Sequence, residues 1–316
     1  MISPAKNLEG LVTVVIANYN RCLELQEALY SVMAQDYPKV EVVVVDNASR
    51  DASRAMMAEE FPLAVVVPLA ENIGMAGYSV GFRAARGQYI FQMDNDSLFP
   101  DAGVLSAVVR RFETGPPDLA VVATRVEEYS PGLDIDQLRH RDRRCGPIRT
   151  GGFHSGGVGF RRAILDQVGS YNRAVFLYGS ELFLQMKLLA AGYTIMFYPE
   201  ILMLHKSSPE ARSSEALYYE IRNRYWFLRL FGTPQQQLRF FPSMLAHDLA
   251  YALFHRSPGV FGRALRDGFG PLPESLRISF KSQHSEFIAK ISEVGLQFNL
   301  ASLWTRIQAY LGARCH

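Results

Sequence analysis

The stretch LVTVVIANYNRCLELQEALYSVMAQDYPKVEVVVVDN, residues 11–47, decides the fold. Its two apolar runs, LVTVVI at 11–16 and VEVVVV at 40–45, are short and rich in β-branched residues, as is typical of strands buried on both faces. Between them, Leu25 and Leu29 recur at helical spacing. The stretch therefore predicts a strand, a helix and a second, parallel strand.

The same alternation continues to residue 124. Further strands are expected at 65–68, 88–93 and 119–124, and helices near 51–59, 76–86 and 102–113. Alternating strands and helices predict an α/β fold with a mainly parallel, Rossmann-like sheet flanked by helices. Ligands of such open sheets bind beyond the carboxyl ends of the strands.

Each of the first four predicted strands ends in polar residues. They are Asn18, Tyr19 and Asn20; Asp46 and Asn47; Glu71 and Asn72; and Asp94, Asn95 and Asp96. Plain Asx turns are the alternative, but such turns would be equally frequent at the opposite edge, where only Asp36 and Lys39 carry charge. The four ends together predict a polar cleft.

The fourth end, in FQMDNDSLFP (91–100), places Asp94 and Asp96 one residue apart after a buried strand. Two crowded carboxylates repel each other unless a cation neutralises them, so a divalent metal competes here with an Asx turn.

Composition excludes several classes of protein. The 316-residue chain has a formal net charge of +2, which gives no reason to expect a nucleic-acid partner. Its three cysteines, Cys22, Cys145 and Cys315, lie too far apart in sequence to indicate zinc ligands or a disulfide framework, which favours a reducing, cytoplasmic setting. No apolar run approaches the roughly 18 residues of a spanning helix.

Periodicity fails over 125–150, which predicts a long exposed loop, and glycines then cluster in TGGFHSGGVGF, 150–160. Gly156 and Gly157 favour close approach of the backbone to a ligand, with a flexible loop as the alternative. A short helix is expected to end at Gly169, and another to begin at Ser180 with Glu181 in its first turn, where a carboxylate also serves as a plain helix cap.

Seven segments between residues 11 and 230 carry a family resemblance. In order, they are VTVVIANYNR, VVVVDNASRDAS, ENIGMAGYSVGFRAARGQYIFQMDND, GGVGFRRAILDQVGSYN, ELFLQMKLLAAGY, LHKSS and YYEIRNRYWFL. This order resembles the family 2 inverting glycosyltransferases with the GT-A fold, particularly bacterial rhamnosyltransferases and galactofuranosyltransferases.

The resemblance implies a nucleotide-sugar donor at the strand ends. Ala17 and Tyr19 would flank its base, and Asp46 would accept a hydrogen bond from the N3–H of uracil or thymine. The donor-binding residues implied in this way are Ala17, Asn18, Tyr19, Asp46, Asn72, Asp94 and Asn95. Asp94 and Asp96 would form the family's Asp-x-Asp motif, with Asp96 and His205 as ligands of Mg²⁺ or Mn²⁺ that neutralises the diphosphate.

The resemblance makes Glu181 the catalytic base that takes the proton of the acceptor hydroxyl. It places Gly156, Gly157, Arg222 and Asn223 on the acceptor or diphosphate side. The alternative for Arg222 and Asn223 is a solvated helix face beside buried aromatic residues. The chain departs from the family where Ser180 replaces an acid before Glu181, where Phe183 replaces an acid after it, and where Ser79 stands near an expected asparagine.

Residues 233–316 form a second predicted region after a glycosyltransferase domain at 1–232. Helices are expected at 240–256 and 285–313, separated by the Gly/Pro-rich stretch 257–273. Nine Lys/Arg and five Asp/Glu residues after position 233 give this region about +4. Contact with an anionic membrane surface, a helical cap, a homo-oligomer interface and acceptor binding stay open as its roles.

The sequence thus predicts an inverting, metal-dependent glycosyltransferase that moves a sugar, with rhamnose as the best specific hypothesis, from a dTDP or UDP donor. The acceptor is a glycan or lipid-linked glycan of cell-surface polysaccharide synthesis, at the inner face of the cytoplasmic membrane. Two alternatives stay open: a non-catalytic module of the same fold, and a sugar-phosphate nucleotidyltransferase. The second requires a Gly/Lys-rich loop after the first strand, and NYNRCLEL has none.

Overall fold

The computed structural model describes residues 8–130, 132–141, 146–206, 214–254 and 256–280, without the side chains of 139–141 and 278–280. The strands are β1 (Leu8–Asn18), β2 (Val40–Asp46), β3 (Val65–Pro68), β4 (Gly87–Asp94), β5 (Ser97–Leu98), β6 (Leu119–Glu128), β7 (Ile148–Arg149), β8 (Val158–Arg161) and β9 (Thr194–His205). The helices are α1 (Cys22–Met33), α2 (Ser53–Glu60), α3 (Ala76–Ala84), α4 (Val104–Thr114), α5 (Ile135–Arg141), α6 (Arg162–Val168), α7 (Ser180–Ala190), α8 (Ser214–Phe231), α9 (Pro234–Phe254), α10 (Pro258–Phe269) and α11 (Glu274–Phe280).

The strands form one mixed sheet in the order β3-β2-β1-β4-β8-β6-β9-β5, with β7 paired to β9. The first four strands are parallel, as the alternation of strands and helices predicts. The far half departs from a parallel sheet, because β8 runs antiparallel to both β4 and β6, and β5 and β7 run antiparallel to β9.

Two apolar layers cover the two faces of the sheet. Along β1, Val14 and Ile16 point into the layer that includes α1 and α4, whereas Val15 points into the layer formed with Tyr78 and Phe82 of α3. Successive side chains of a strand alternate between faces, so a strand buried on both sides is apolar at nearly every position.

Register brings the polar strand ends to one edge. Asn18 lies opposite Asp46 in the β1–β2 pair, and Ala17 lies opposite Asp94 in the β1–β4 pair. The expected convergence of these ends is therefore a property of the sheet.

Two stretches expected to be irregular contain regular structure. The predicted loop at 125–150 continues β6 to Glu128 and then forms α5, although Pro131 and 142–145 lie outside the described residues. The expected Gly/Pro-rich separator at 257–273 forms α10. Pro258 occupies its first turn, where a missing N–H costs nothing, and Gly268 lets the helix approach Tyr225 closely.

Helix α8 packs against α7 on one side and against α10 of the C-terminal region on the other. Phe227 of α8 contacts Phe183 of α7, and Tyr225 packs in a cluster with Phe261 of α10. The division between residues 232 and 233 stays a prediction, because α8, which precedes it, packs against helices from both predicted regions. The helix expected at 285–313 lies outside the described residues.

No helix in the described part of the chain is both long enough and apolar enough to cross a bilayer. Helix α9 does expose large apolar side chains, namely Leu238, Leu245, Leu249, Leu253 and Phe254. Membrane contact and oligomerisation through this region stay predictions.

Candidate active site

Two carboxylates and one imidazole converge at the polar edge of the sheet. One ligand atom each from Asp94, Asp96 and His205 lies within 4.8 Å of the other two. His205 Nε2 is 3.2 Å from Asp96 Oδ1 and 3.7 Å from Asp94 Oδ2. The structure thus brings together three residues that are up to 111 positions apart in the sequence.

The turn after β4 sets this geometry. Asn95 donates its Nδ2 hydrogen to Asn18 Oδ1 at 2.8 Å, which ties the turn to the end of β1. The short strand β5 then pairs with β9 so that Ser97 lies opposite His205. The turn after Asp94 therefore positions the residues of the metal-type cluster, so a turn and a metal site are compatible interpretations of this segment.

Arg21 completes the charge balance of the cluster. Its guanidinium donates to Asp96 Oδ2. Burial alone would raise the pKa of Asp96, but the hydrogen bonds and charges of His205 and Arg21 outweigh burial and hold this pKa below its usual value. Burial disfavours a charged His205, yet the hydrogen bond to Asp96 and the charges of Asp96 and Asp94 raise the pKa of His205 above its ordinary value.

This donor set fits a divalent cation. Carboxylate oxygens with one imidazole nitrogen suit Mn²⁺ or Mg²⁺. The hydroxyl oxygen of Ser97, beside His205 in the β5–β9 pair, is buried and has no hydrogen-bond partner among the described residues. A protonated imidazole cannot ligate a metal, so a cation would compete with protons for His205.

Asp94 has two further partners that sequence reasoning missed. The Tyr78 hydroxyl lies 2.8 Å from Asp94 Oδ1, and the Ser155 hydroxyl donates to Asp94 Oδ2 at 2.9 Å. Tyr78 comes from α3 and Ser155 from the glycine-rich loop, so two further segments hold this carboxylate.

Ser155 also joins the metal-type cluster to the predicted base. Its hydroxyl is also within hydrogen-bond reach of Glu181, in the first turn of α7, and its single hydrogen serves one of the two carboxylates at a time. Burial raises the pKa of Glu181 and the charge of Asp94 adds to this rise, while hydrogen bonds from its own backbone N–H and with Ser155 act in the opposite direction. A carboxylate with a raised pKa is a stronger base, as general-base catalysis requires.

The loop 172–179 sets the position of α7. Its last two residues, Tyr178 and Gly179, have φ angles of 52° and 77°. This left-handed region costs energy for a residue such as tyrosine unless neighbouring contacts enforce it. On the donor side, the backbone N–H of Met75 donates to Phe176 O at 2.8 Å. A Cβ added at Gly74 would lie 2.1 Å from the same oxygen, so only glycine allows this approach.

Helix α8 holds the other side of loop 172–179. Asn223 donates its Nδ2 hydrogens to Leu177 O at 2.6 Å and Tyr178 O at 2.8 Å. Arg222 donates to Ala174 O at 2.9 Å and to Asn223 Oδ1 at 2.8 Å. Both side chains are thus bonded to the segment that precedes Glu181, and their contact with a diphosphate or acceptor stays a prediction.

The expected nucleotide residues line the same edge, with different degrees of access. Asn18 and Asp46 are fully buried, and Arg54 donates to Asp46 Oδ2 while the Ser49 N–H donates to Oδ1. Tyr19 is 45% exposed, which leaves its ring accessible for a base.

Asn72 is partly buried and accepts a hydrogen bond from the Gly74 N–H at 2.9 Å. Ala17 is also partly buried. Contacts of these residues with a nucleotide stay predictions.

Gly156 and Gly157 are explained by close packing. A Cβ at Gly157 would lie 2.4 Å from Met203 Cγ and 2.9 Å from Thr124 Oγ1. A Cβ at Gly156 would lie 3.0 Å from His154 Nδ1 and 3.1 Å from Ser97 Oγ. The backbone approaches its own chain closely here, beside the cluster, and contact with a ligand stays a prediction.

Among the site residues that the sequence did not single out, Arg21 had a usable signal. It directly follows the polar end of β1, in NYNR. Tyr78, Ser155 and Arg54 had no comparable signal, because their partners lie in other segments.

Comparison with known proteins agrees with the fold. The family model "Glycosyl transferase family 2" matches residues 13–169. The succinoglycan biosynthesis protein ExoO of Rhizobium meliloti is 36% identical over 124 residues, which are 38% of this chain and 35% of that protein. The putative teichuronic acid biosynthesis glycosyltransferase TuaG of Bacillus subtilis is 30% identical over 94 residues, 28% of this chain and 37% of that protein. The chain thus spans about a third of the length of the curated relatives it matches.

Solved structures share the fold. The mannosyltransferase PcManGT from Pyrobaculum calidifontis, in complex with GDP-Man and Mn²⁺, has a TM-score of 0.58 at 23% identity, over 99% of this chain and 88% of that chain. GalNAc-T7 with UDP, GalNAc and Mn²⁺ has a TM-score of 0.62 at 15% identity, over 92% of this chain and 57% of that chain. The chain has the GT-A fold and, through its domain at 13–169, belongs to glycosyltransferase family 2.

Proposed function

We propose that this chain is an inverting, metal-dependent glycosyltransferase. It would transfer a sugar from a nucleoside diphosphate donor to a hydroxyl of a glycan or lipid-linked glycan. The observation that carries this proposal is the position of the Ser155 hydroxyl between Asp94 and Glu181, within hydrogen-bond reach of both, since it sets a base beside a metal-type cluster. A metal-dependent inverting transferase needs both in one place.

The donor side supplies charge neutralisation and orientation. Asp94, Asp96 and His205 would hold Mn²⁺ or Mg²⁺, which when bound stabilises the negative charge of the departing diphosphate. Arg21 already bonds Asp96 and places a fixed positive charge at the same edge. The exposed Tyr19 ring offers a face on which a base can stack, and we propose UDP or dTDP as the donor from the family resemblance.

Glu181 would act on the acceptor. As its carboxylate takes the proton, the acceptor oxygen forms a bond to the anomeric carbon and the bond from that carbon to the diphosphate breaks. A single displacement of this kind inverts the configuration and needs no covalent intermediate.

The relatives support a role in polysaccharide synthesis, since two are named for the biosynthesis of succinoglycan and of teichuronic acid. Rhamnose is the donor sugar that we propose first, because of the resemblance carried by the motifs. Residues 233–316 would contact the acceptor, a membrane surface or a second copy, at the cytoplasmic face of the membrane.

The test is consumption of dTDP-rhamnose and of other UDP- and dTDP-sugars with Mn²⁺, in wild type, in Glu181→Gln and in Glu59→Gln, an exposed control on α2. We expect turnover in wild type and the control, and a fall of roughly 10²- to 10⁴-fold in Glu181→Gln with donor binding retained. Donor binding without turnover in wild type would favour the non-catalytic module. Formation of pyrophosphate from a nucleoside triphosphate and a sugar phosphate would favour a nucleotidyltransferase.

A further inference from the structure

A second cavity lies away from the metal-type cluster, between α8 and the end of α10. Its volume is about 500 Å³, and it is lined by Tyr218, Arg222, Trp226, Arg266, Asp267, Gly270 and Pro271. We call it the α8–α10 cavity. Neither the donor residues nor Glu181 line it.

Two of its seven lining residues are arginines, Arg222 and Arg266. The Arg222 guanidinium lies 4.1 Å from the centre of the Trp226 ring and 5.3 Å from that of Tyr218. Arg229 donates to Gly270 O at 2.7 Å, so a third guanidinium adjoins the wall beside Arg222 and Arg266. The aromatic faces stabilise the Arg222 cation and hold its plane in a fixed position.

Negative charge does not match this positive charge. Asp267 is the one acid of the lining, and Arg266 pairs with it at 3.0 Å. Within the described part of the chain, Arg222 and Arg229 form no ion pair and bond to amide or carbonyl oxygens instead. Arg222 is only 8% exposed, and the charge of Asp267 reaches both Arg222 and Arg266. One carboxylate facing several guanidinium groups leaves a positive excess, which favours an anion in the cavity.

The same arginine contacts the segment that leads to the base. Arg222 bonds to Ala174 O and to Asn223, and Asn223 bonds to Tyr178 O, two residues before Ser180 opens α7. A group bound in the α8–α10 cavity therefore touches the side chain that anchors loop 172–179. This connection places the cavity on the acceptor side of the site.

We propose that the α8–α10 cavity binds an anionic group of the acceptor, either the carboxylate of an acidic sugar or a phosphate. This inference rests on the proposed transferase function. Guanidinium groups recognise both anions through paired N–H donors. Arg266 is the exposed arginine of the lining, and a bound anion would compete with Asp267 for its guanidinium.

The test uses the full chain, free of metal so that the donor site does not retain phosphate, and measures binding by calorimetry. The probes are methyl glucuronoside, uncharged methyl glucoside and inorganic phosphate. We expect the glucuronoside, phosphate or both to bind, and the glucoside not to bind. Binding should weaken about tenfold in Arg266→Gln, because a hydrogen bond to a charged group is lost, and should be largely restored in Arg266→Lys.

A second variant should strengthen anion binding instead of weakening it. Asp267→Asn removes the competing carboxylate but keeps an oxygen for the Tyr218 hydroxyl, so anion binding should tighten several-fold. Arg239→Gln, an exposed arginine of α9 away from the cavity, should change nothing. Equal binding of glucoside and glucuronoside, no anion binding, or binding unaffected by both Arg266→Gln and Asp267→Asn would overturn the proposal.

Phosphate binding without glucuronoside binding assigns the anionic group to a phosphate, and the reverse assigns it to a carboxylate. Donor turnover without arginine-dependent anion binding overturns the subsite and leaves the proposed function standing. Anion binding with no donor turnover removes the transferase function and, with it, the acceptor assignment.

Discussion

The two sides of the candidate site are built in different ways. On the donor side, Asp46 and Asp94 are the last residues of β2 and β4, and the register of β1 with both strands brings them to one edge. On the acceptor side, Glu181 depends on loop 172–179, which is held by individual side-chain bonds from α8. Sheet register is shared by many backbone bonds, whereas the loop rests on a few. Changes on the donor side should therefore act on ligand binding, and changes on the acceptor side on turnover.

The largest expected effect is on the donor side. Asp96→Asn keeps the size of the side chain but removes the charge that His205 and Arg21 both contact. We expect metal-dependent UDP or dTDP affinity to fall at least about a hundredfold, since loss of an outer partner of a metal ligand alone costs 10- to 100-fold. Calorimetry with and without Mn²⁺ measures it. Equal affinity in Asp96→Asn would remove this residue from the metal site.

The matching change on the acceptor side is Asn223→Asp. It places a carboxylate oxygen against Leu177 O and Tyr178 O, where the amide donated two hydrogen bonds. We expect kcat to fall about 10- to 100-fold, because two bonds contribute about 1–3 kcal/mol together. The KM for the donor should not change.

Leu217→Val, which reduces packing in the same helix without touching the loop, is the control for a general loss of stability. A loss of nucleotide affinity in Asn223→Asp would instead place Asn223 at the diphosphate.

A smaller effect, on stability, is expected at Gly157, where the glycine-rich loop packs against β9. Gly157→Ala adds a methyl group 2.4 Å from Met203 Cγ, so neighbouring side chains must shift. Overpacking of this kind costs about 1–3 kcal/mol of unfolding free energy. Denaturant unfolding measures this loss of stability. Gly146→Ala is the control, because no atom lies within 4 Å of the added methyl group. Gly132→Ala would not serve, because the positive φ of Gly132 would add backbone strain. Unchanged stability in Gly157→Ala would show that the loop is free to move away from β9.

The smallest change concerns the link between the two sides. Ser155→Ala removes a hydrogen bond that lowers the pKa of Glu181, so this pKa should rise further. The acid limb of the kcat profile should move to higher pH, with a loss of at most about tenfold at a fixed acidic pH. A profile with saturating Mn²⁺ and donor at each pH separates this shift from weaker metal binding, and a shift toward lower pH would contradict it.

Stability gives an independent reading of the same carboxyl group. The pKa of Glu181 is raised on folding, so the folded chain holds this proton more tightly than the unfolded chain does. Glu181 therefore costs stability once the pH rises above its unfolded pKa. Glu181→Gln should raise the Tm at neutral pH and leave it unchanged in acid.

How far the sequence predicts the site follows the same division. Asp94 and Asp96 could be found because they stand at and just after the end of a strand whose apolar pattern is local, and His205 could be found through the family resemblance. Ser155 and Tyr78 could not, since they act through Asp94 from segments that only the folded chain brings together. Helix α10 was missed because Pro258 and its glycines indicate a break, although proline in a first turn and glycine against Tyr225 are both compatible with a helix.

Loop 172–179 is contacted on one side by Gly74 and Met75. On the other side it is hydrogen-bonded to Arg222 and Asn223. The family match ends at residue 169, just before it. An exchange of C-terminal halves between relatives, by recombination or by design, would therefore have to carry the loop and its anchors together. A chimera joined inside the loop would inherit a donor site from one parent and a misplaced base from the other.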